Sequence, residues 1–288
     1  MKHIGFIGTG VMGKSMAGHL LEKGYHIHLY TRTRAKAEDL LEKGAEWHET
    51  PAALAGRCDA VITMVGYPKD VEEVYFGEEG ILSNAREGTL LIDMTTSRPD
   101  LAVKIAAEAE KRKLFALDAP VSGGDIGAKN AALAIMSGGS KKAFTLAEPL
   151  FKIMGENIQL LGDAGAGQFT KMANQIAIAS TMMGVSESLA YAKAAGLDTA
   201  QVINTIETGA AGSFSLSKLG RRMLEEDFEP GFYVKHFIKD MRIAIESAKE
   251  MNLNLPGLAL AESLYTRMSE AGYEDAGTQV LIKYYFQK

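Results

Sequence analysis

The sequence predicts two domains: an α/β domain built on a parallel sheet over residues 1–163, and an all-helical domain over residues 164–288. Three observations carry this reading. Short apolar runs alternate with amphipathic helical stretches as far as about Gly162, which is the βαβ pattern of a parallel sheet. The segment Gly162-Asp163-Ala164-Gly165-Ala166-Gly167 then suits a hinge, or a tight helix entry where the backbone passes close to another group. From Gln168 onward, helix formers at 3.6-residue spacing fill the chain and no convincing strand follows.

Taken in order, His3 to Ile7 is a short apolar strand. A glycine-rich turn leads into a helix from Val11 to Lys23, where Met12, Met16, Leu20 and Leu21 recur at helical spacing and Gly24 supplies the C-terminal stop. Further strands are expected at Ile27 to Tyr30, Ala60 to Val65, Thr89 to Met94, Phe115 to Asp118, Ala131 to Ser137 and Ile158 to Leu161. Amphipathic stretches such as Arg34 to Lys43 and Lys141 to Met154 separate them. A helix from about Gln168 to Ala195 would be roughly 42 Å long at 1.5 Å per residue. Shorter helices are expected at Thr199 to Thr208, Ser215 to Glu225, Val234 to Met251, Pro256 to Ala271 and Ala276 to Phe286.

The 288 residues are 47% hydrophobic and 23% charged, a balance that excludes disorder as the main state. A net charge of -5 argues against a generally basic nucleic-acid or membrane-surface binder. One cysteine, Cys58, cannot form an intrachain disulfide, no secretory h-region opens the sequence, and no apolar run approaches the ~20 residues of a bilayer span. A cytoplasmic protein with neither a nucleic-acid nor a membrane partner is expected.

The turn after the first strand, Gly8-Thr9-Gly10-Val11-Met12-Gly13-Lys14-Ser15, satisfies two phosphate-binding patterns. As GxGxxG, Gly8 makes the turn, Gly10 lets the backbone approach a pyrophosphate, and Gly13 lets helix and strand pack closely. As GxxxxGK[ST], Lys14 would hold phosphates, Ser15 a magnesium ion, and Asp93 would organise the metal. An ordinary strand-to-helix turn is the plain alternative. Context favours the dinucleotide, because the motif follows the first strand and the second strand ends about 18 residues after Gly13. There the sequence reads Thr31-Arg32-Thr33-Arg34. An acid at that point would bind the ribose hydroxyl of NAD, whereas Arg32 among small hydroxyls suits the 2'-phosphate of NADP. NADP(H) is therefore the expected cofactor, with NAD as the alternative; a solvated arginine is the plain reading.

Asp118-Ala119-Pro120-Val121-Ser122-Gly123-Gly124 follows the strand from Phe115, where ligands bind in open α/β folds. The Ser122 hydroxyl and the amides of Gly123 and Gly124 can converge on one carboxylate. On the long helix, Lys171, Asn174 and Gln175 lie at i, i+3 and i+4 and share a face. Apolar neighbours make Lys171 a candidate for burial. Lys239-Asp240, on a later helix after Phe232, reads equally well as an adjacent pair on a charged face.

These motifs in this order resemble the four signatures of the β-hydroxyacid dehydrogenases: Gly8 to Gly13 with Met16 and Ala17, then Asp118 to Gly124, then Gly165-Ala166-Gly167 with Lys171 and Asn174, and finally Lys239-Asp240. The family includes 3-hydroxyisobutyrate dehydrogenase and reductases of tartronate semialdehyde, glyoxylate and succinic semialdehyde, and is related to 6-phosphogluconate dehydrogenase. The resemblance covers nearly the whole chain. It implies a Rossmann N-terminal domain, an all-α C-terminal domain with a cleft between the two, NAD(P)-dependent reduction of a small carboxylate substrate, and Lys171 as catalytic acid/base beside Asn174. It further implies cofactor contacts from Gly8, Thr9, Gly10, Val11, Met12 and Gly13, from Thr33 beside Arg32, and from Met64, Val65, Thr96 and Lys239. Substrate contacts would come from Ser122, Gly123, Gly124, Lys171, Asn174, Phe232 and Asp240, and the helical domain would support a homo-oligomer, dimer or tetramer. Gln175, where many members have a second asparagine, and Val65-Gly66-Tyr67-Pro68, in place of a more usual Leu-Pro pair, depart from the pattern in ways that bear on substrate preference.

No metal is expected to be required. Ligand spacings such as HxxxH or paired cysteines are absent from the sequence, and His26 and His28 read as same-side strand residues. Two rivals from other classes are a P-loop kinase or NTPase and a non-catalytic dinucleotide sensor; the pairing of Lys171 with Asn174 speaks against the sensor, since mere binding needs neither.

Overall fold

The computed structural model describes residues 1–286 and divides into two compact units, Met1–Lys171 and Met172–Lys288. The first unit carries the sheet. Its strands are β1 (His3–Ile7), β2 (His26–Tyr30), β3 (Glu46–Trp47), β4 (Ala60–Thr63), β5 (Leu90–Asp93), β6 (Phe115–Asp118), β7 (Val121–Ser122), β8 (Leu133–Gly139) and β9 (Gly155–Leu160). They are arranged in the order β3-β2-β1-β4-β5-β6-β8-β7, with β9 beside β8. Strands β1 to β6 are all parallel. The interleaved helices are α1 (Val11–Glu22), α2 (Glu38–Glu42), α3 (Pro51–Ala55), α4 (Pro68–Phe76), α5 (Ile81–Asn84), α6 (Pro99–Lys111), α7 (Gly124–Lys129) and α8 (Lys141–Met154).

Period-two side-chain direction explains the layering. Phe6, Ala60, Ile62, Leu90 and Ile92 enter a core packed with Met16, Leu20 and Leu150 of α1 and α8. Their strand neighbours Ile7, Val61 and Leu91 enter a second core with Leu54, Val71, Val74, Leu101 and Ile105 of α3, α4 and α6. Both faces are apolar because both are covered by helices, as parallel sheets require.

The expected strands are present, with three differences. The sheet is mixed rather than wholly parallel, because β8 runs antiparallel to both β6 and β7. Ser122 therefore sits in a short strand and not in a plain loop. β3 and β7 have two residues each, too short to leave a periodic signal. The stretch Arg34 to Lys43 is a 3-10 turn, Arg34–Ala37, followed by one short helix.

The second unit contains most of α9 (Ala166–Ala194), then α10 (Thr199–Ile206), α11 (Arg221–Leu224), α12 (Val234–Glu250), α13 (Pro256–Met268) and α14 (Ile282–Phe286). Its main core joins Met172, Ala179 and Met183 to Phe237, Met241, Ala244, Leu264 and Tyr265. Two expected helices start or end in wider turns: Ser215–Gly220 is a π-helical segment before α11, and α13 gives way at Met268 to another, where Gly272 has φ +90°. Among the described residues, the only strand-like pairing here is an isolated bridge between Tyr233 and Gly277.

Candidate active site

The site begins at the carboxyl ends of β1, β4 and β5. Gly8 has φ +99°, and a Cβ there would stand 2.2 Å from the Met64 carbonyl oxygen, so the glycine is required by both conformation and contact. A Cβ on Gly13 would meet the Gly8 carbonyl oxygen at 2.0 Å, which accounts for close helix–strand packing. Gly10 differs, since a Cβ there would meet no protein atom within 4 Å. Packing does not demand this glycine; a clear approach to the backbone at the start of α1 does. Beside it the buried Thr9 hydroxyl has no hydrogen-bond partner among the described residues. An open cradle and an orphaned hydroxyl at a helix N-terminus fit the phosphate end of a dinucleotide. Val11 is exposed and Met12 half-buried.

Lys14 forms an ion pair with Asp39 of α2, both side chains being about half exposed. It is thus occupied as a surface residue, which removes the phosphate-gripping lysine from the P-loop reading. Asp93 is also otherwise engaged, its Oδ1 accepting the Thr95 N–H at 3.0 Å and shaping the loop after β5. The Thr95 hydroxyl accepts the Val65 N–H at 3.0 Å, which joins that loop to Met64-Val65 and sets half-buried Thr96 beside them in sequence. At the end of β2, Arg32 pairs with Asp70, whose other oxygen accepts the Tyr67 N–H at the start of α4. Arg32 remains 65% exposed, and Thr33 next to it is exposed.

A buried carboxylate organises the next part. Asp118 closes β6, and its two oxygens accept the N–H groups of Gly165 and Gln168, each at 2.8 Å. The first N–H groups of a helix have no intrahelical partner, and α9 has glycine where a capping side chain would stand; Asp118 supplies that cap from 47 residues away. Burial raises the Asp118 carboxyl above its ordinary value, and the donors of Gly165, Gln168 and Gly167 oppose the rise. Close approach is what the glycines permit. A Cβ on Gly167 would lie 2.3 Å from the Met136 carbonyl oxygen, and one on Gly138 would lie 2.6 Å from the Asp118 carboxylate.

Gln168 adds a second tether. Its side chain is buried, accepting the Ser97 N–H at 2.9 Å through Oε1 and donating to the Thr95 carbonyl at 2.8 Å through Nε2. The first turn of α9 is thereby fixed to the β5 loop that adjoins Met64-Val65. One turn further on stands Lys171, only 7% exposed. Ser122, in β7, precedes Gly123 and Gly124, whose φ values of +133° and +64° open the short helix α7.

The second unit gathers its residues separately. Asn174 donates to the Gln175 side-chain oxygen at 2.8 Å, Gln175 donates to Asp240 Oδ2 at 2.6 Å, and the Lys239 ammonium lies 2.9 Å from Asp240 Oδ1. Gln175 and Asp240 are 1% exposed. Lys239-Asp240 is accordingly a largely buried ion pair, its aspartate held by Gln175, and not part of a charged surface. Phe232 packs edge-on to Phe237 with centroids 5.6 Å apart. Sequence reasoning missed three participants: the capping role of Asp118, the Gln168 tether, and His236. His236 lies one turn before Asp240 on α12, its pKa lowered by burial and by the Lys239 ammonium. A glutamine three residues into a helix that lacks its own cap was the available signal for the tether.

Comparison with known proteins agrees with this geometry. Residues 3–162 match the family described as the NAD binding domain of 6-phosphogluconate dehydrogenase, and residues 165–285 match that described as the NAD-binding domain of NADP-dependent 3-hydroxyisobutyrate dehydrogenase. An uncharacterized oxidoreductase of Bacillus subtilis is 61% identical over 98% of each chain. The 2-hydroxy-3-oxopropionate reductase of Escherichia coli is 37% identical, covering 97% of this chain and 96% of its own. The solved structure of Mycobacterium tuberculosis 3-hydroxyisobutyrate dehydrogenase with L-serine superposes with a TM-score of 0.90 at 27% identity over 98% of both chains. The chain belongs to the β-hydroxyacid dehydrogenase family, whose members are NAD(P)-dependent enzymes acting on a CH–OH group.

Asp118→Asn tests the cap. The amide nitrogen of asparagine faces an N–H where an oxygen stood, so the variant should lose roughly 1–3 kcal/mol of stability. Because the folded carboxyl sits above its unfolded value, the aspartate contributes most below the ordinary carboxylate range, and that contribution falls as pH rises through it. The deficit of the variant, read from unfolding curves across roughly pH 3 to 7, should be largest in acid and narrow towards neutrality.

Proposed function

We propose that the protein interconverts a small hydroxy acid and its aldehyde acid with NADP(H), using Lys171 as the acid/base. The observation that carries the reading is the placement of Lys171: it is buried, on the turn of α9 that follows the Asp118 cap and the Gln168 tether to the β5 loop. Burying an ammonium is costly, and functional sites are where that cost is met.

The bound dinucleotide supplies the hydride. The glycine loop holds its pyrophosphate, with Thr9 contributing a hydroxyl; Met64, Val65 and Thr96 line its path, and Lys239 completes its contacts. Ser122, with the amides of Gly123 and Gly124, holds the substrate carboxylate, and Phe232 and Asp240 close around a compact substrate. Fixing the carboxylate fixes the carbonyl near it, so that reaction needs little further loss of freedom. Lys171 donates the proton that neutralises charge developing on the carbonyl oxygen and takes it back in the reverse direction. Asn174 orients that amine, while Gln175 holds Asn174 and is itself held by Asp240.

Arg32 favours NADP(H). Asp70 steadies the guanidinium, and its exposed remainder is free to meet a 2'-phosphate. In this scheme residues 1–163 serve the nucleotide, while residues 164–288 serve the substrate and a homo-oligomeric interface, in a cytoplasmic enzyme. The substrate class is the one shared by 3-hydroxyisobutyrate, tartronate semialdehyde, glyoxylate and succinic semialdehyde, in keeping with the relative named 2-hydroxy-3-oxopropionate reductase.

In a panel of short aldehyde acids followed by loss of NADPH absorbance, Lys171→Ala should lose ~10²- to 10⁴-fold in turnover with NADPH binding largely intact. Near-normal turnover would refute the assignment. Arg32→Ala should weaken NADPH binding by roughly 1.5–3 kcal/mol and NADH binding little; equal losses for both cofactors would remove the case for NADP.

A further inference from the structure

We propose that His28, Glu46 and His48 form a zinc-type divalent metal site at the β3 edge of the sheet, separate from the nucleotide and substrate machinery. Sequence spacing conceals it, since His28 lies 18 residues before Glu46 and no short ligand motif results. Strand pairing creates it. His28 in β2 stands in register with Glu46 in β3, and His48 lies two residues beyond Glu46, so all three side chains project from one face.

The distances suit one ion. His28 Nδ1 and His48 Nε2 are 2.9 Å apart, and the Glu46 carboxylate oxygens lie 3.6 Å from each ring, Oε2 from His28 and Oε1 from His48. Ligands placed tetrahedrally at about 2.1 Å from zinc stand about 3.4 Å from one another. The two ring nitrogens must part by about half an ångström to meet that spacing, and one Glu46 oxygen, within 4.8 Å of both, completes a set of three that leaves a fourth position for water. Both imidazoles are buried, at 5% and 7% exposure, while Glu46 is 54% exposed and gives the ion a way in. Two imidazoles and one carboxylate are a donor set for zinc, and poorly suited to calcium or magnesium, which take oxygen ligands.

An outer partner is already in position. His28 Nε2 lies 3.0 Å from His3 Nδ1, and the His3 ring stacks on His26 with centroids 4.9 Å apart. If His28 donates from Nε2 to His3, its Nδ1 lone pair faces His48 and Glu46, the arrangement by which metal-binding histidines are oriented. Without an ion, the contact between His28 and His48 is a hydrogen bond with one shared proton; metal binding moves that proton, by way of solvent, to the far nitrogen of His48, which stays neutral. Arg57 Nη1, 3.4 Å from Glu46 Oε1, opposes an ion there, while Oε2 is left available. An ion here would clamp the two-residue edge strand β3 to β2, adding a cross-link where the sheet has few ladder bonds.

Trp47, the only tryptophan, lies between two of the ligands in sequence and reports on the site. Zinc should be titrated into the full chain against a chromophoric chelator, with cobalt as a spectroscopic substitute and Trp47 emission recorded in parallel. One equivalent should bind, cobalt should develop the visible bands of a tetrahedral site, and Trp47 emission should change at the same stoichiometry. Glu46→Gln, at an exposed position that tolerates the change, should weaken zinc at least about tenfold, and His3→Ala roughly 10- to 100-fold without removing a ligand. Failure of the wild-type chain to take up zinc in the micromolar range, or equal uptake by wild type and Glu46→Gln, would overturn the proposal and leave a hydrogen-bonded histidine ladder. Neither outcome depends on turnover, so the test is separate from that of the proposed dehydrogenase chemistry.

Discussion

The capture of a helix N-terminus by the buried carboxylate of Asp118 is the interaction on which the rest of the site depends. A carboxylate buried at the end of β6 needs donors, and the first turn of α9 has N–H groups without acceptors. Each satisfies the other's deficit. The geometry that results leaves no room for side chains at Gly138 and Gly167 and holds the first turn of α9 against the end of β6. Gln168 ties the same turn to Ser97 and Thr95, so the turn is held by two independent sets of hydrogen bonds. The side chain one turn later, Lys171, inherits both constraints.

Much of this was legible in the sequence because the causes are local. GxGxxG after the first strand encodes a positive φ at Gly8 and a helix–strand contact at Gly13, and both follow from sterics within a few residues. Strands β1, β2, β4, β5 and β6 each carry a short apolar run, since both sheet faces are covered, and α8 announces itself by its 3.6-residue pattern. The glycine-rich segment before α9 was readable as a close approach, but not what it approached.

What the sequence concealed has non-local causes. The antiparallel insertion of β8 depends on a connection through β7 and α7, and two-residue strands exist only as partners to a neighbour. Asp118 looks like any strand-terminal acid until its partner, 47 residues away, is in place. Lys239-Asp240 reads as surface charge because the buried Gln175 that holds Asp240 is on another helix. The cluster of His28, Glu46 and His48 is hidden for the same reason, since register and not spacing brings its members together.

In the proposed reaction, an amine at the position fixed by Asp118 and Gln168 transfers the proton. Chemical replacement tests it most directly. Lys171→Cys, treated with 2-bromoethylamine, gains an aminoethyl group through a new C–S bond as bromide leaves, and thus a near copy of lysine at the same place. The natural cysteine will not interfere, because Cys58 is fully buried and its thiol is pushed up to about 12 by burial. The cysteine variant should bind NADPH but turn over poorly, and aminoethylation should restore most of the lost rate. A fully modified protein that still binds NADPH yet recovers no activity, or a cysteine variant as fast as the parent, would contradict it.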